Sequence, residues 1–389
     1  MVDESSSYRN YARGIKRMLF FAGLWPTREW ACSAYQVLCF FNTLGCFAVS
    51  CAAFNFGREN YHNLELLTES IGVTGSYLST VLKAVCFRIN YRELVDLHCT
   101  LGEYFEESLS NAKIRNEIFD QLNIYTKSFY VLTVLLFVTC LLVLVVPVIV
   151  ICILLSKGVY PLIYLLPYSG KYPWSFEGGS FVYYLHYFWQ ILAVFYLYVV
   201  TMGVDSLFGY YVFQIRAIFQ LMAHRMRSIG CPGEDNRKIV RMCVETHRVL
   251  AKCCNQVEMI YGPIVLWIFI TSAIIMCTVI FRISQAEHLT VAQMVYFFAY
   301  MAVKLFQAFM YAWYGGVIIT ESEEYRNVVY DCDWPGSGDK SLMNDVLIMM
   351  CVQPMKLTAC KFLIISTDMF AAIVNTTMSY FFLLRTLDG

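Results

Sequence analysis

Charged residues are scarce in this sequence, and the short motifs by which most enzymes are recognised are missing. Of its 389 residues, 15% are charged, with 29 of each sign, and 58% are hydrophobic. This balance is typical of membrane proteins, and a net charge of zero gives no electrostatic reason to bind nucleic acid. There is no HExxH motif, Walker loop, GxGxxG loop or GxSxG elbow. We therefore expect no enzymatic activity and no cofactor.

Patterns for metal binding and disulfide bonding are absent as well. No two of the six His residues have metal-ligand spacing, and no pair of the 16 Cys residues has zinc-finger spacing. Most Cys residues lie in apolar runs or in loops that we assign to the cytosol. Buried or reduced thiols are therefore expected, and no metal site.

Long apolar runs are what the sequence does contain. Seven of them reach the ~20 residues that a helix needs to cross a bilayer. They lie at roughly 31–54, 66–87, 126–155, 181–213, 258–281, 291–319 and 360–386. The sequence thus predicts an all-α membrane protein, a single seven-helix domain over residues 1–389, with a kink at Pro147 in the third run.

The distribution of Lys and Arg predicts the orientation. The segments 1–30, 88–127, 214–256 and 320–361 carry 22 of these residues, and the segments on the opposite side carry five. Because cytoplasmic loops hold the excess of positive charge, we expect a cytoplasmic N-terminus and an extracellular C-terminus. This is the reverse of a G-protein-coupled receptor.

The 214–256 segment has the pattern of two amphipathic helices around a turn at Cys231-Pro232-Gly233. Their apolar stripes include Val240, Val244 and Leu250. We expect a packed cytoplasmic bundle formed with the ends of spans four to seven. Solvated connecting helices are the alternative.

The last apolar run differs from a simple anchor, because polar residues interrupt it. Hydrocarbon cannot satisfy these groups, so they should face neighbouring protein or a water-filled path. At helical spacing, Thr376, Ser379, Leu383 and Leu387 share one face of the helix. This predicts a water-filled path lined by Thr376 and Ser379, with a ring of the two leucines near its extracellular end. A packing stripe within one subunit is the alternative.

Two charges within predicted spans need partners. Asp368 lies about two turns into the last run and Lys304 lies midway through the sixth, so a Lys304–Asp368 ion pair is one hypothesis. The alternative is that each reaches the cytoplasmic interface or bundle separately. Asp205, near the end of the fourth run, is expected at or below the inner interface, without a role in ligand binding.

The sixth and seventh runs resemble the C-terminal signature of insect odorant receptors. The matching stretches are Tyr311-AWYGG-Val317, Glu321-SEEYRNVVYDCDW-Pro335, Lys361-FLIISTDMF and Ser379-Tyr380-Phe381. The Asp-Trp pair of the family pattern is Asp333-Trp334 here. The resemblance covers roughly the last 80 residues, while length, number of spans and orientation extend it to the whole chain.

The resemblance implies a ligand-gated, non-selective cation channel that forms a heterotetramer with the odorant receptor co-receptor (Orco). Such a subunit would lie in the plasma membrane of sensory neuron dendrites. The implied gate is Leu383 and Leu387, with Tyr380 bracing the pore helix and Trp334 structural. Residues 31–213 would form the ligand-binding part, 214–256 the cytoplasmic helical segment, and 257–389 the anchor and pore.

By the same resemblance, a small volatile binds in the outer halves of spans two, three, four and six. An aromatic, nearly uncharged lining favours an apolar or aromatic ligand, oriented by a hydroxyl such as that of Thr74 or Tyr300. The candidate contact residues are Ile71, Thr74, Gly75, Leu78, Val146, Ile149, Tyr184, Phe188, Leu192, Tyr296, Phe297, Tyr300 and Met301.

Two departures argue against the co-receptor itself. Thr386 stands where the co-receptor and many gustatory receptors have Gln, and the long insertion between spans four and five is missing. A gustatory receptor of the same superfamily is one alternative. A membrane carrier is another, although we find no clear internal repeat or interrupted half-helices.

Overall fold

A computed structural model describes residues 2–27, 33–158, 164–174, 177–231, 235–284, 291–334 and 339–388, excluding the side chains of residues 2–5, 33–34, 64–65, 281–284, 291–293, 296, 380–381 and 383–388. Within these ranges the fold consists of helices and one short hairpin. The helices are α1 (Val2–Ala22), α2 (Ser33–Glu59), α3 (Leu64–Ile89), α4 (Tyr91–Ser110), α5 (Ala112–Ser156), α6 (Phe181–Arg227), α7 (Asn236–Ser284), α8 (Val291–Asp331), α9 (Lys340–Cys351) and α10 (Thr367–Asp388); the strands are β1 (Thr358–Ala359) and β2 (Leu363–Ile364).

Six of the described helices, α2, α3 and α5 to α8, are long and apolar enough to cross a membrane. They coincide with the first six predicted runs, and the all-helical fold is confirmed. Large apolar side chains such as Val134 and Phe137 of α5 are exposed on the outside of the bundle. In water such a surface would be unfavourable, so it is suited to lipid.

The predicted seventh run needs a correction at its start. Residues 358–364 form the antiparallel hairpin of β1 and β2, and the helix begins only at Thr367. Three residues, 360–362, join the strands, and Cys360 and Lys361 have φ of 53° and 62°, in the left-handed region. The backbone N–H of Phe362 donates to the Ala359 carbonyl at 3.1 Å and closes the turn. The Thr358 hydroxyl donates to the carboxylate of Glu258, which ties this hairpin to α7.

The predicted amphipathic helices of 214–256 are continuations of longer helices. α6 has 47 residues and α7 has 49, so each is roughly 70 Å long, against ~30 Å of hydrocarbon. Val240 and Leu250 are buried, as expected for packed helices. At the start of α7, Arg237 donates two hydrogen bonds to Asp339, the N-cap of α9. These bonds lower the pKa of the Asp339 carboxyl group.

α6 is the centre of the fold. Nearly every residue from Tyr196 to Met222 is buried, which a helix achieves only when it is surrounded on all sides. One of its neighbours is α1, which lies in the 1–30 segment that the charge distribution assigns to the cytoplasmic side. Ile15 and Leu19 of α1 are buried, and Gly203 gives Leu19 the room to approach α6.

Candidate ligand cavity and pore-facing helix

A small cavity lies between α3, α5, α6 and α8. Its volume is about 50 Å³. A buried water molecule needs roughly 10–15 Å³, so the cavity holds about four water-sized groups. Its lining includes Gly72, Val73, Ser76, Tyr77, Ser79, Leu136, Thr139, Cys140, Val143, Tyr168, Leu197, Thr201, Tyr300, Val303, Lys304 and Gln307. The cavity is thus lined by both apolar and polar side chains.

A buried polar cluster adjoins the cavity, centred on Asp205 of α6. Lys83 of α3 donates to both carboxylate oxygens, at 2.7 and 2.9 Å. Gln307 Nε2 donates to Oδ2 at 2.6 Å and the Tyr311 hydroxyl to Oδ1 at 2.7 Å, both from α8. Asp205 is 0% exposed and Lys83 1%. Each partner therefore helps satisfy a charge that would be costly to bury alone.

The structure adds one buried ion pair and corrects one expectation about charge. The added pair is Lys83–Asp205, which the sequence did not predict and which is buried among three helices. The Lys304–Asp368 pair does not form among the described residues: Asp368 is exposed in the first turn of α10, whereas Lys304 is 5% exposed and lies inside the bundle. The charged side chains that interact electrostatically with Lys304 are those of Lys83 and Asp205.

A loop segment closes one side of the cavity. Tyr168, in the described segment 164–174, donates its backbone N–H to Gln190 Oε1 at 3.0 Å and accepts from Gln190 Nε2 at 3.2 Å. Gln190 of α6 is fully buried. These two hydrogen bonds hold the segment in place, so that the Tyr168 ring packs against Tyr77 with ring centroids 5.3 Å apart.

Of the predicted ligand residues, Tyr300 lines this cavity. Its hydroxyl lies 2.8 Å from that of Ser76 and donates to the Gly72 carbonyl at 2.8 Å, so it joins α8 to α3. Phe297 and Met301 pack nearby, against Ile275 and Val279 of α7. The Tyr296 side chain is outside the described residues.

The other predicted contact residues lie elsewhere. A groove of about 560 Å³ between α2, α3 and α7 contains Ile71, Thr74, Gly75 and Leu78 together with Trp267. The exposed exterior of α5 and α6 carries the remaining five, Val146, Ile149, Tyr184, Phe188 and Leu192. The predicted contact residues are thus divided between the cavity, the groove and the outer surface of the bundle.

α3 has two faces with a helical repeat, one toward the groove and one toward the cavity. Ile71, Thr74, Gly75 and Leu78 follow a helical repeat, but so do Gly72, Ser76, Ser79 and Lys83, and only the second set faces the cavity or the cluster beside it. Periodicity alone cannot choose between two such faces. The signal that sequence reasoning missed is Lys83, because a charge within a span must face the protein interior.

The described part of α10 has one polar, exposed face. Asp368, Asn375, Thr376 and Ser379 are exposed, whereas Thr377 is buried toward α7. The Ser379 hydroxyl donates to the Asn375 carbonyl at 2.9 Å. α10 packs on α7 and α8 and leaves this polar face uncovered in the single chain. The side chains of Tyr380, Leu383 and Leu387 lie outside the described residues.

The Tyr311-AWYGG-Val317 motif joins the polar cluster to α10. Tyr311 bonds to Asp205, and four residues later Gly315 allows the Ile365 carbonyl, just before α10, to approach α8. Tyr314 stacks on Tyr125 with ring centroids 5.5 Å apart and the planes inclined by 1°. Trp334, farther along, is half-buried and donates to the Tyr330 carbonyl at 3.2 Å.

Together these features define an all-helical, multi-span membrane protein with a buried cavity and a polar-faced helix. The model of the 7tm odorant receptor family matches residues 63–378. The chain belongs to the insect odorant receptor family.

Individual relatives are distant in sequence and close in fold. Odorant receptor 13a of Drosophila melanogaster is 24% identical over 266 residues, covering 61% of this chain and 64% of that receptor. The odorant receptor coreceptor of Anopheles gambiae is 24% identical over 152 residues, 39% of this chain and 32% of the coreceptor. The chain thus spans less than two thirds of the curated relatives it matches. The olfactory receptor OR5 of Machilis hrabei has the same fold, with a TM-score of 0.78 at 15% identity over 97% of this chain and 98% of that one.

Proposed function

We propose that this protein is the odorant-sensing subunit of a ligand-gated, non-selective cation channel. A small volatile binds in the cavity between α3, α5, α6 and α8, and its binding is transmitted to α10, which lines the pore. The observation that carries this proposal is that one helix, α8, contacts the cavity, the polar cluster and the chain entering α10. This helix contributes Tyr300 and Lys304 to the cavity, Tyr311 to the Asp205 cluster and Gly315 to the contact with Ile365.

The proposed assembly is a heterotetramer with the odorant receptor co-receptor in the plasma membrane of a sensory dendrite. The N-terminus is cytoplasmic and the C-terminus extracellular, as the positive-charge distribution favours. OR5 of Machilis hrabei has a structure in complex with eugenol, which supports a small volatile as the ligand class. The exposed polar face of α10 supports a pore, because such groups need water or protein partners within a membrane.

Whole-cell recording with and without the co-receptor tests this function. We expect a cation current in response to volatiles only when both chains are expressed. A response that persists after the ion gradients are removed, and that instead depends on G proteins, would contradict the proposal.

The Tyr300→Phe variant tests the cavity. The change removes a hydroxyl that bonds to Ser76 and Gly72 and fixes the ring in the cavity wall. Since a hydrogen bond contributes about 0.5–1.5 kcal/mol net, we expect the half-maximal odorant concentration to rise by about two- to thirteenfold. Tyr184→Phe is the matched control, because Tyr184 is exposed on the exterior of α6. Equal dose–response curves for Tyr300→Phe and the wild type would remove Tyr300 from the site.

The gate is proposed at Leu383 and Leu387, with Thr376 and Ser379 lining the wet path below it. Rings of leucine close a narrow pore by excluding water, so the Leu383→Ser/Leu387→Ser double variant should raise the resting current. Leak current normalised to surface expression is the measurement. Unchanged leak in a well-expressed double variant argues against a gate at these positions.

A further inference from the structure

The buried charges beside the cavity do not balance. Asp205 is the single acid in the cluster, and its two oxygens already accept from Lys83, Gln307 and Tyr311. Lys304 adds a second buried amine that is 5% exposed and lines the cavity. Its Nζ makes a cation–π contact with the Tyr300 ring, 5.8 Å from the ring centre, but no ion pair or hydrogen bond with the described residues.

A second polar group in the cavity is the hydroxyl of Tyr77. The Tyr77 side chain is fully buried and lines the cavity, and its hydroxyl interacts with the Tyr168 side chain without forming a hydrogen bond of normal geometry to any described residue. A buried donor without a partner costs about 1–3 kcal/mol, and an uncompensated buried charge costs more. A ligand that accepts from both groups would remove these costs on binding.

We propose that the ligand of this receptor is a short-chain carboxylate, whose negative charge is bound by Lys304 and whose oxygens accept a hydrogen bond from Tyr77. This inference rests on the proposed function and specifies its ligand. It replaces the apolar volatile expected from the sequence, because that expectation assumed a nearly uncharged lining. Charge-assisted hydrogen bonds are about twice as strong as neutral ones, so the carboxylate is preferred over a neutral isostere.

The cavity also limits the length of the ligand. A volume of about 50 Å³ accommodates about four water-sized groups, so a short ligand is favoured. Leu136, Val143, Leu197 and Val303 supply the apolar part of the lining, which suits a short alkyl chain. Butanoate is a short probe of this class, and butanamide and butan-1-ol have the same chain without the charge.

The first test compares these three probes on the receptor expressed with its co-receptor. We expect butanoate to be the most potent in the wild type. Lys304→Met should raise its half-maximal concentration at least about tenfold and leave butan-1-ol unchanged or more potent. Lys304→Arg should retain part of the preference for butanoate. Lys157→Met is the control, because Lys157 is exposed at the end of α5.

The second test measures binding without channel opening or substitution. Butanoate should raise the thermal unfolding temperature of the purified wild-type protein, whereas butanamide at the same concentration should not. The inference is overturned if butanamide stabilises equally, or if Lys304→Met weakens acid and alcohol responses alike. If butanoate stabilises the protein but no volatile evokes current, the proposed channel function fails while the ligand assignment stands.

Discussion

Asp205→Asn is expected to remove most of the protein from the cell surface. The change leaves the Lys83 ammonium, 1% exposed, without its counter-ion in the centre of the helix bundle. Removing one partner of a buried ion pair costs about 3–5 kcal/mol, a large fraction of the 5–15 kcal/mol that stabilises a typical protein. Surface biotinylation and the thermal unfolding temperature in detergent are the measurements.

The double variant Lys83→Met/Asp205→Asn separates charge balance from the loss of contacts. It removes both members of the pair and keeps an amide that can bond to Tyr311 and Gln307, whose Oε1 has no partner among the described residues. Surface expression should recover in part. Asp331→Asn is the control, an exposed acid at the end of α8. Wild-type expression of Asp205→Asn alone would show that the pair is dispensable.

The helices were predictable because each long apolar run has one favourable structure in a bilayer. A run of ~20 apolar residues must satisfy its backbone internally, and a helix does so whatever its neighbours are. The start of α10 was not predictable in this way. Residues 358–364 are apolar enough to extend the run, but they form a hairpin that contacts Glu258 of α7 through Thr358, a residue 100 positions away in the chain.

The site was less predictable than the fold, since its geometry depends on contacts between residues far apart in the chain. Asp205 and Lys83 are separated by 122 positions, and nothing local to either residue identifies the other. Lys83 within an apolar run was the available signal for the inward face of α3. The polar face of α10 was predictable, because Thr376 and Ser379 are polar in a span and three residues apart.

Gly315→Ala is expected to abolish ligand-gated current by separating the cavity from α10. An added Cβ would lie 2.2 Å from the Ile365 carbonyl oxygen and 2.9 Å from its carbon. These are backbone atoms, so no rotamer change relieves the overlap, and α8 and the chain entering α10 must move apart by about 1 Å. Overpacking of this kind costs about 1–3 kcal/mol.

The adjacent glycine provides the control. At Gly316 an added Cβ would meet its nearest atom, Thr367 Cγ2, at 3.8 Å, an ordinary contact. Gly316→Ala also favours the helix by about 1 kcal/mol, so it should reach the surface and conduct at least as well as the wild type. Recordings normalised to surface expression decide between the two variants, which add the same methyl group one residue apart. If Gly315→Ala is expressed and gated like Gly316→Ala, the contact at Ile365 does not transmit ligand binding, and the connection to α10 runs through its other contacts with α7 and α8.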